Sequence, residues 1–504
     1  MALALSLALL ALLAVVLVAS RPKRRYRLPP GPPADPLIAH LRYIPTENQG
    51  TVFHKWAQTH GDVISVRALG RTLVVLDTVK AATDLLERRS GNYSDRPAFP
   101  IYSLLEFEPN TVTMPYGTQF RKHRKILHSN FTRDACSQLH DVQLTMARKL
   151  ATSLIATPAD YSRLISWFTT ALTLKVSYGL DVSEDDELVK TAEEVGHVIN
   201  NSGPPGGTPV DMFPFLKYMP SWFPGTHYAN FAREHIPIIR KLYDLPLQKV
   251  QEDLANGIAG PSLAASELNR LSRTGPISEE DIRDVKGVTM VIFAAGAETT
   301  WSTMLIFILA IVTHPEVQKT AQEEIDRVVG RERLPDFSDS NSLPYTECVV
   351  QEVLRWFPVV PLGVPHRCME DDIYNDMFIP KGATVIANSR GMSLDERVYA
   401  NPKDFNPARY LPRPEGNGEP FFESAFGFGR RICPGRHLAY NSLWVIIATL
   451  LATCDISKAL DEEGREINVE PKFLYGIVSR PKNFPCRIQS RDDKATTLLS
   501  ELAE

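Results

Sequence analysis

Between residues 287 and 312 the chain reads GVTMVIFAAGAETTWSTMLIFILAIV, apolar on every face of any helix drawn through it. Ser278 followed by Glu279, Glu280 and Asp281 gives such a helix a hydroxyl cap and an acidic first turn, and Pro315 after His314 gives it a stop. A helix without a polar face must be covered on all sides, by lipid or by protein. Glu298, Thr299 and Thr300 fall at its middle, where a charge is expensive in hydrocarbon, so the run is expected to be a core helix with a large body folded around it. The 504 residues, 44% of them hydrophobic, supply the material for that covering.

Length alone suggests two or three domains, but no internal repeat or low-complexity tract interrupts the chain, and one catalytic body is expected over residues 37–504. A net charge of -4 carries no basic footprint, so nucleic acid is not an expected partner. Residues 1–20, MALALSLALLALLAVVLVAS, are uncharged and just long enough to cross a bilayer as a helix. A cleaved signal peptide is the alternative, but its basic residues would precede the apolar run. Here Arg21, Lys23, Arg24, Arg25 and Arg27 follow it. The expectation is an uncleaved single-pass anchor with the body in the cytosol. Residues 21–36 then form a basic and proline-rich linker whose LPPGPPADP stretch acts as a stiff spacer.

Residues 62–78, DVISVRALGRTLVVLDT, alternate around Gly70 and predict a β-hairpin, with a helix to follow in TVKAATDLLERRS. The middle of the chain is helical by periodicity, and the part after Pro358 is broken by prolines and short β-like runs. The balance is mainly α with small β-sheets. A proline-rich loop at residues 204–225 carries Trp222 and Phe223, read either as self-packed aromatics or as a channel mouth touching the bilayer.

Six cysteines show no CxxC and no metal-ligand pairing, and a cytosolic setting argues against disulfides. Cys433 stands apart, in FGFGRRICPG, residues 426–435. Helix N-terminal amides and nearby cations would favour its thiolate. Pro434 suits the first turn of a helix through RHLAYNSLWVIIATLLATC. Gly427, Gly429 and Gly435 permit tight turns and close approach to a flat partner.

The spacing Phe426, Gly429, Arg431, Cys433, Gly435 resembles the F-x-x-G-x-R-x-C-x-G haem signature of the cytochrome P-450 superfamily. ECVVQEVLRWFP supplies Glu352 and Arg355 on one helix face. Alone they would read as a surface pair, but they resemble the family's buried E-x-x-R, completed by Arg409 in FNPARY, where Ala408 departs from the usual P-E-R. AAGAETT, residues 294–300, is similar to the family's oxygen-side helix motif, which implies proton delivery by Thr299 with Glu298. A threonine bonded back to its own helix is the plainer alternative.

The resemblance runs through nearly the whole chain and is closest to fungal microsomal members. It implies one triangular helical prism, the cytochrome P-450 fold, holding haem b (iron protoporphyrin IX) with Cys433 as axial ligand. Arg96, Arg124, His366 and Arg431 match positions that clamp the haem carboxylates, and Phe120 stands where relatives carry tryptophan; each basic residue taken alone reads as solvated surface charge. Positions matching substrate contacts are Phe99, Ile101, Ile292, Ala295, Val359, Val360 and Val478, which core packing explains almost as well. The implied activity is a monooxygenase of the endoplasmic reticulum membrane acting on a hydrophobic small molecule, expected to be a secondary metabolite, with xenobiotic clearance as the other role that fits. Its electrons would come from NADPH through a cytochrome P-450 reductase, with a b-type cytochrome as a further candidate partner. A haem-thiolate isomerase or dehydratase and a non-catalytic haem sensor are the alternatives.

Overall fold

The computed structural model describes residues 26–501 apart from 37, 69, 204 and 205, so the expected anchor at residues 1–20 lies outside the described residues. The helices that shape the site are α1 (Thr118–Asn130), α2 (His140–Ala156), α3 (Tyr161–Tyr178), α4 (Glu187–Asn201), α5 (His227–Ala255), α6 (Glu279–Thr313), α7 (Pro344–Trp356) and α8 (Arg436–Thr453). The largest sheet has four strands, β1 (Val63–Ala68), β2 (Arg71–Leu76), β3 (His366–Arg367) and β4 (Thr384–Ala387), in the order β1-β2-β4-β3. Among the described residues three two-stranded sheets complete a mainly helical body.

α6 is the axis. Ser278 caps it, accepting from the Asp281 N–H, and the Asp281 side chain accepts in return from the Ser278 N–H, which completes a capping box. Its most apolar stretch is 72% buried within the protein, which identifies a core helix. The C-terminal half packs with α2, α3 and α8 through Met304, Phe307, Ile311, Phe168, Leu150 and Trp444. The N-terminal half joins α4 and α5 in a second core through Val285, Met290, Phe293, Val198 and Leu242. Gly296 permits the close crossing of α6 and α3: a Cβ there would lie 2.9 Å from Thr173 Cγ2.

The predicted hairpin is β1–β2, paired from Val63 with Leu76 to Ala68 with Arg71. β2 runs parallel to β4, which draws the 384–387 segment alongside. Glu352 and Arg355 on α7 are fully buried and paired through two bonds of 2.7 and 2.8 Å. Arg409 Nε donates to Glu352 at 3.1 Å and its Nη1 to Glu419 at 2.8 Å. The Tyr410 hydroxyl donates to Glu352 at 2.9 Å. Arg355 also donates to the carbonyls of Ser393 and Pro402, so the network ties α7 to three downstream segments.

One expectation is corrected. α8 begins at Arg436 with Gly435 at its cap, so Pro434 lies before the helix rather than in its first turn. The Cys433 N–H folds back to the Phe426 carbonyl at 2.9 Å, and helical bonding starts only with Ala439 N–H on Gly435 O. The 204–225 loop holds two short turns, Pro209–Met212 and Pro214–Tyr218. Trp222 is 79% exposed, while Phe223 packs on the second core.

Candidate functional site

A cavity of about 290 Å³ lies between α6 and the cysteine loop. α6 contributes Val291, Ile292, Ala295, Gly296, Thr299 and Thr303; the loop contributes Phe426, Arg431 and Cys433; Val359 and Val360 follow α7. The loop's shape depends on Gly429, whose φ is +55° and whose added Cβ would stand 2.1 Å from the Leu86 carbonyl oxygen.

Cys433 differs electrostatically from the other five cysteines. Burial pushes Cys348, Cys454 and Cys486 up to about 12, and Cys136 and Cys368 up to about 11, with no cationic side chain opposing it. Burial raises Cys433 too, but the Gly435 amide and the Arg124 and Arg436 guanidiniums pull against it. Among the described residues no cluster of three metal-ligating side chains exists, so a metal on this sulfur would take its remaining ligands from a prosthetic group.

The basic residues converge on the same cavity. Arg431 donates to the carbonyls of Ser94 (2.7 Å), Met114 (2.7 Å) and Thr111 (3.3 Å), with its guanidinium 3.5 Å from the Phe120 ring centroid. Phe120 therefore supplies an aromatic face for a cation. Arg96 donates to Val112 O at 2.9 Å and to Val364 O and Pro365 O at 2.7 Å. Arg124 donates to Ile432 O at 2.8 Å, and His366 Nδ1 to Tyr93 O at 2.7 Å. Burial and the Arg431 charge hold Arg96 well below the usual guanidinium range, and burial, opposed by Asp95 and aided by Arg124, brings Arg431 down to about 10. His366 is pushed far down by burial and by Arg96 and Arg431. Among the described residues no carboxylate lines the cavity. Such buried positive charge calls for an anionic guest, and the two carboxylates of a haem beside a lone sulfur ligand satisfy it.

Four of the seven substrate positions, Ile292, Ala295, Val359 and Val360, line the cavity. The other three do not. Phe99 and Ile101 pack into the second core, the latter's N–H held by the buried Asp211 carboxylate at 3.1 Å, and Val478 lies outside the lining. Thr299 faces the cavity with its hydroxyl donated to Ala295 O at 2.8 Å, the back-bonded arrangement. Glu298 is outside the lining, paired with Arg480 at 2.8 Å and accepting from Asn200 at 3.4 Å. Burial raises its carboxyl, with Arg480 and then Asn200 opposing.

Sequence reasoning missed Thr111, Thr169, Thr173 and Thr303 in the wall. Thr303 was findable, four residues beyond Thr299 on one helix face; the α3 threonines arrive only by tertiary packing. Thr169, Thr173 and Thr303 each donate their hydroxyl to a carbonyl of their own helix, at 3.0, 2.9 and 2.8 Å.

Comparison with known proteins finds relatives along almost the whole chain. The Cytochrome P-450 family model matches residues 29–486. Cytochrome P-450 monooxygenase 136 of Postia placenta is 37% identical over 489 residues, covering 95% of this chain and 92% of that protein. Cytochrome P-450 monooxygenase 176 of the same fungus is 36% identical over 490 residues, 95% and 94% of the two chains. The tryptamine 4-monooxygenase of Psilocybe cyanescens is 34% identical over 481 residues, 94% of each. A lone cysteine under cationic influence, a basic wall awaiting carboxylates and a match along almost the whole length lead to one conclusion: the chain belongs to the cytochrome P-450 family and is a monooxygenase of that class.

Proposed function

We propose that this monooxygenase oxidises a neutral, lipophilic small molecule at the endoplasmic reticulum membrane, with Cys433 as the axial ligand of haem b. The observation that carries the reading is the pairing of Cys433 with four basic residues around a cavity without a carboxylate. Thiolate-ligated haem, when bound, supplies reductive activation of dioxygen, so that one oxygen atom enters the substrate and the other leaves as water.

The chain's own residues prepare that chemistry. Arg124 and Arg436 favour the Cys433 thiolate, and Arg96, Arg124, His366 and Arg431 bind the haem carboxylates. Apolar Ile292, Ala295, Val359 and Val360 exclude water and favour a guest without charge. Thr299, once its hydroxyl turns from the Ala295 carbonyl, passes a proton into the cavity from its Oγ1, and Glu298 replenishes it after release from Arg480. The raised carboxyl of Glu298, which retains a proton more readily than an ordinary one, supports that role.

Electrons come from NADPH through a separate membrane-bound reductase, and the substrate belongs to secondary metabolism. An N-terminal anchor holds the body at the bilayer. The exposed Phe213, Phe215, Tyr218 and Trp222 support a second contact with lipid. Cys433→Ala is expected to abolish the red-shifted Soret band that thiolate ligation gives the reduced carbon monoxide complex. Persistence of that band would remove Cys433 as ligand. Thr299→Ala is expected to raise NADPH consumption per product formed, and unchanged coupling would take Thr299 out of the proton path.

A further inference from the structure

The arginines that face the cofactor's acidic edge are themselves aimed by a short strap. Arg431 donates to the carbonyls of Thr111 and Met114, and Arg96 to that of Val112. This segment is neither α-helix nor strand; the Val112 and Met114 N–H groups bond locally to Asn110, and a chain of side chains holds it from behind. Thr111 Oγ1 lies 2.8 Å from His123 Nδ1, and His123 Nε2 lies 3.0 Å from Asp284 Oδ1 on α6. All three residues are buried. Asp284 is held in turn by Lys122 Nζ at 2.5 Å and by the Gln119 amide.

The polarity of this chain is determined by its end. Asp284, paired with the Lys122 ammonium, is the acceptor for the Nε2 proton; burial disfavours a second proton on the ring, with Asp284 opposing, and Nδ1 of the neutral ring accepts the Thr111 hydroxyl hydrogen. Gly287, three residues after Asp284, clears the seat. A Cβ there would stand 2.5 Å from Pro109 O and 2.8 Å from His123 Cε1, so the ring and the strap reach α6 only because that side chain is missing.

We infer that His123 and Asp284 are positioning residues for the cofactor clamp: through Thr111 they fix the carbonyls that aim Arg96 and Arg431, and so set how fully the bound haem's carboxylates are neutralised. The inference rests on the haem reading above and adds His123 and Asp284, which stand behind the cavity wall that Thr111 helps to line.

The test uses the purified holoprotein and two readouts, the rate of haem transfer to excess apomyoglobin and the ferric/ferrous midpoint potential. Thr111→Val keeps shape and removes the hydroxyl; Thr111→Ser keeps the hydroxyl; His123→Phe removes both ring bonds. Thr111→Val and His123→Phe are expected to release haem about 10-fold faster and to lower the potential, because less neutralised carboxylates favour the ferric state. Thr111→Ser is expected to stay close to wild type. A lowered melting temperature with both haem readouts unmoved would reduce the chain to a brace between α1 and α6 and overturn the inference. If His123→Phe does not fold, the Thr111 pair decides alone. Wild-type protein that takes up no haem would instead defeat the underlying reading.

Discussion

Glu298 sits one residue from the cavity wall yet responds to groups outside it, Arg480 and Asn200. Burial raises its carboxyl despite them, which makes ionisation costlier in the fold than in the open chain. The sign follows. Stability is lost as pH rises from the unfolded carboxyl value, about 4.3, through the higher folded one. Thermal unfolding across that window is expected to show Glu298→Gln gaining on wild type with rising pH, with a constant difference below it. A difference that does not change with pH would mean that this carboxyl does not titrate there. Cys433 was legible because its immediate neighbours carry the chemistry. The partners of Glu298 were not, since Arg480 lies 182 positions away and no local pattern announces it.

Among the elements, α6 was the most readable, its capping box and proline stop matching Glu279–Thr313 almost to the residue. A helix without a polar face leaves the sequence few other ways to fold it. The cysteine loop was legible in composition but less so in path: Pro434 favours a helical first turn, yet the loop runs on through Gly435 and the helix opens only at Arg436. Gly429 gives the loop its sharpest dependence on a single atom. Gly429→Ala would drive a methyl into the Leu86 carbonyl at a positive φ. It is expected to cost about 1–3 kcal/mol and to lower the haem content of purified protein. Full haem loading with unchanged melting would contradict the close packing.

For the molecule as a whole, the buried Glu352–Arg355–Arg409 network joins α7 to the segments around Ser393, Pro402 and Glu419. Glu352→Ala would leave the buried Arg355 guanidinium without a carboxylate and Arg409 with Glu419 alone, and is expected to cost about 3–5 kcal/mol, read by chemical denaturation; a loss below about 1 kcal/mol would place the network among surface pairs. The spacing revealed the first two members. Glu419 was hidden, because only the folded chain brings it to Arg409. The cavity's threonines carry the last consequence. With Thr169, Thr173, Thr299 and Thr303 each turning its hydroxyl hydrogen back on its own helix, these four hydroxyls offer no free donor, and a guest without an N–H or O–H of its own meets contours and no grip. A molecule steered by outline alone can tumble between turnovers, and the natural signature of such a chamber is a family of positional isomers whose proportions follow the guest's girth more than its functional groups.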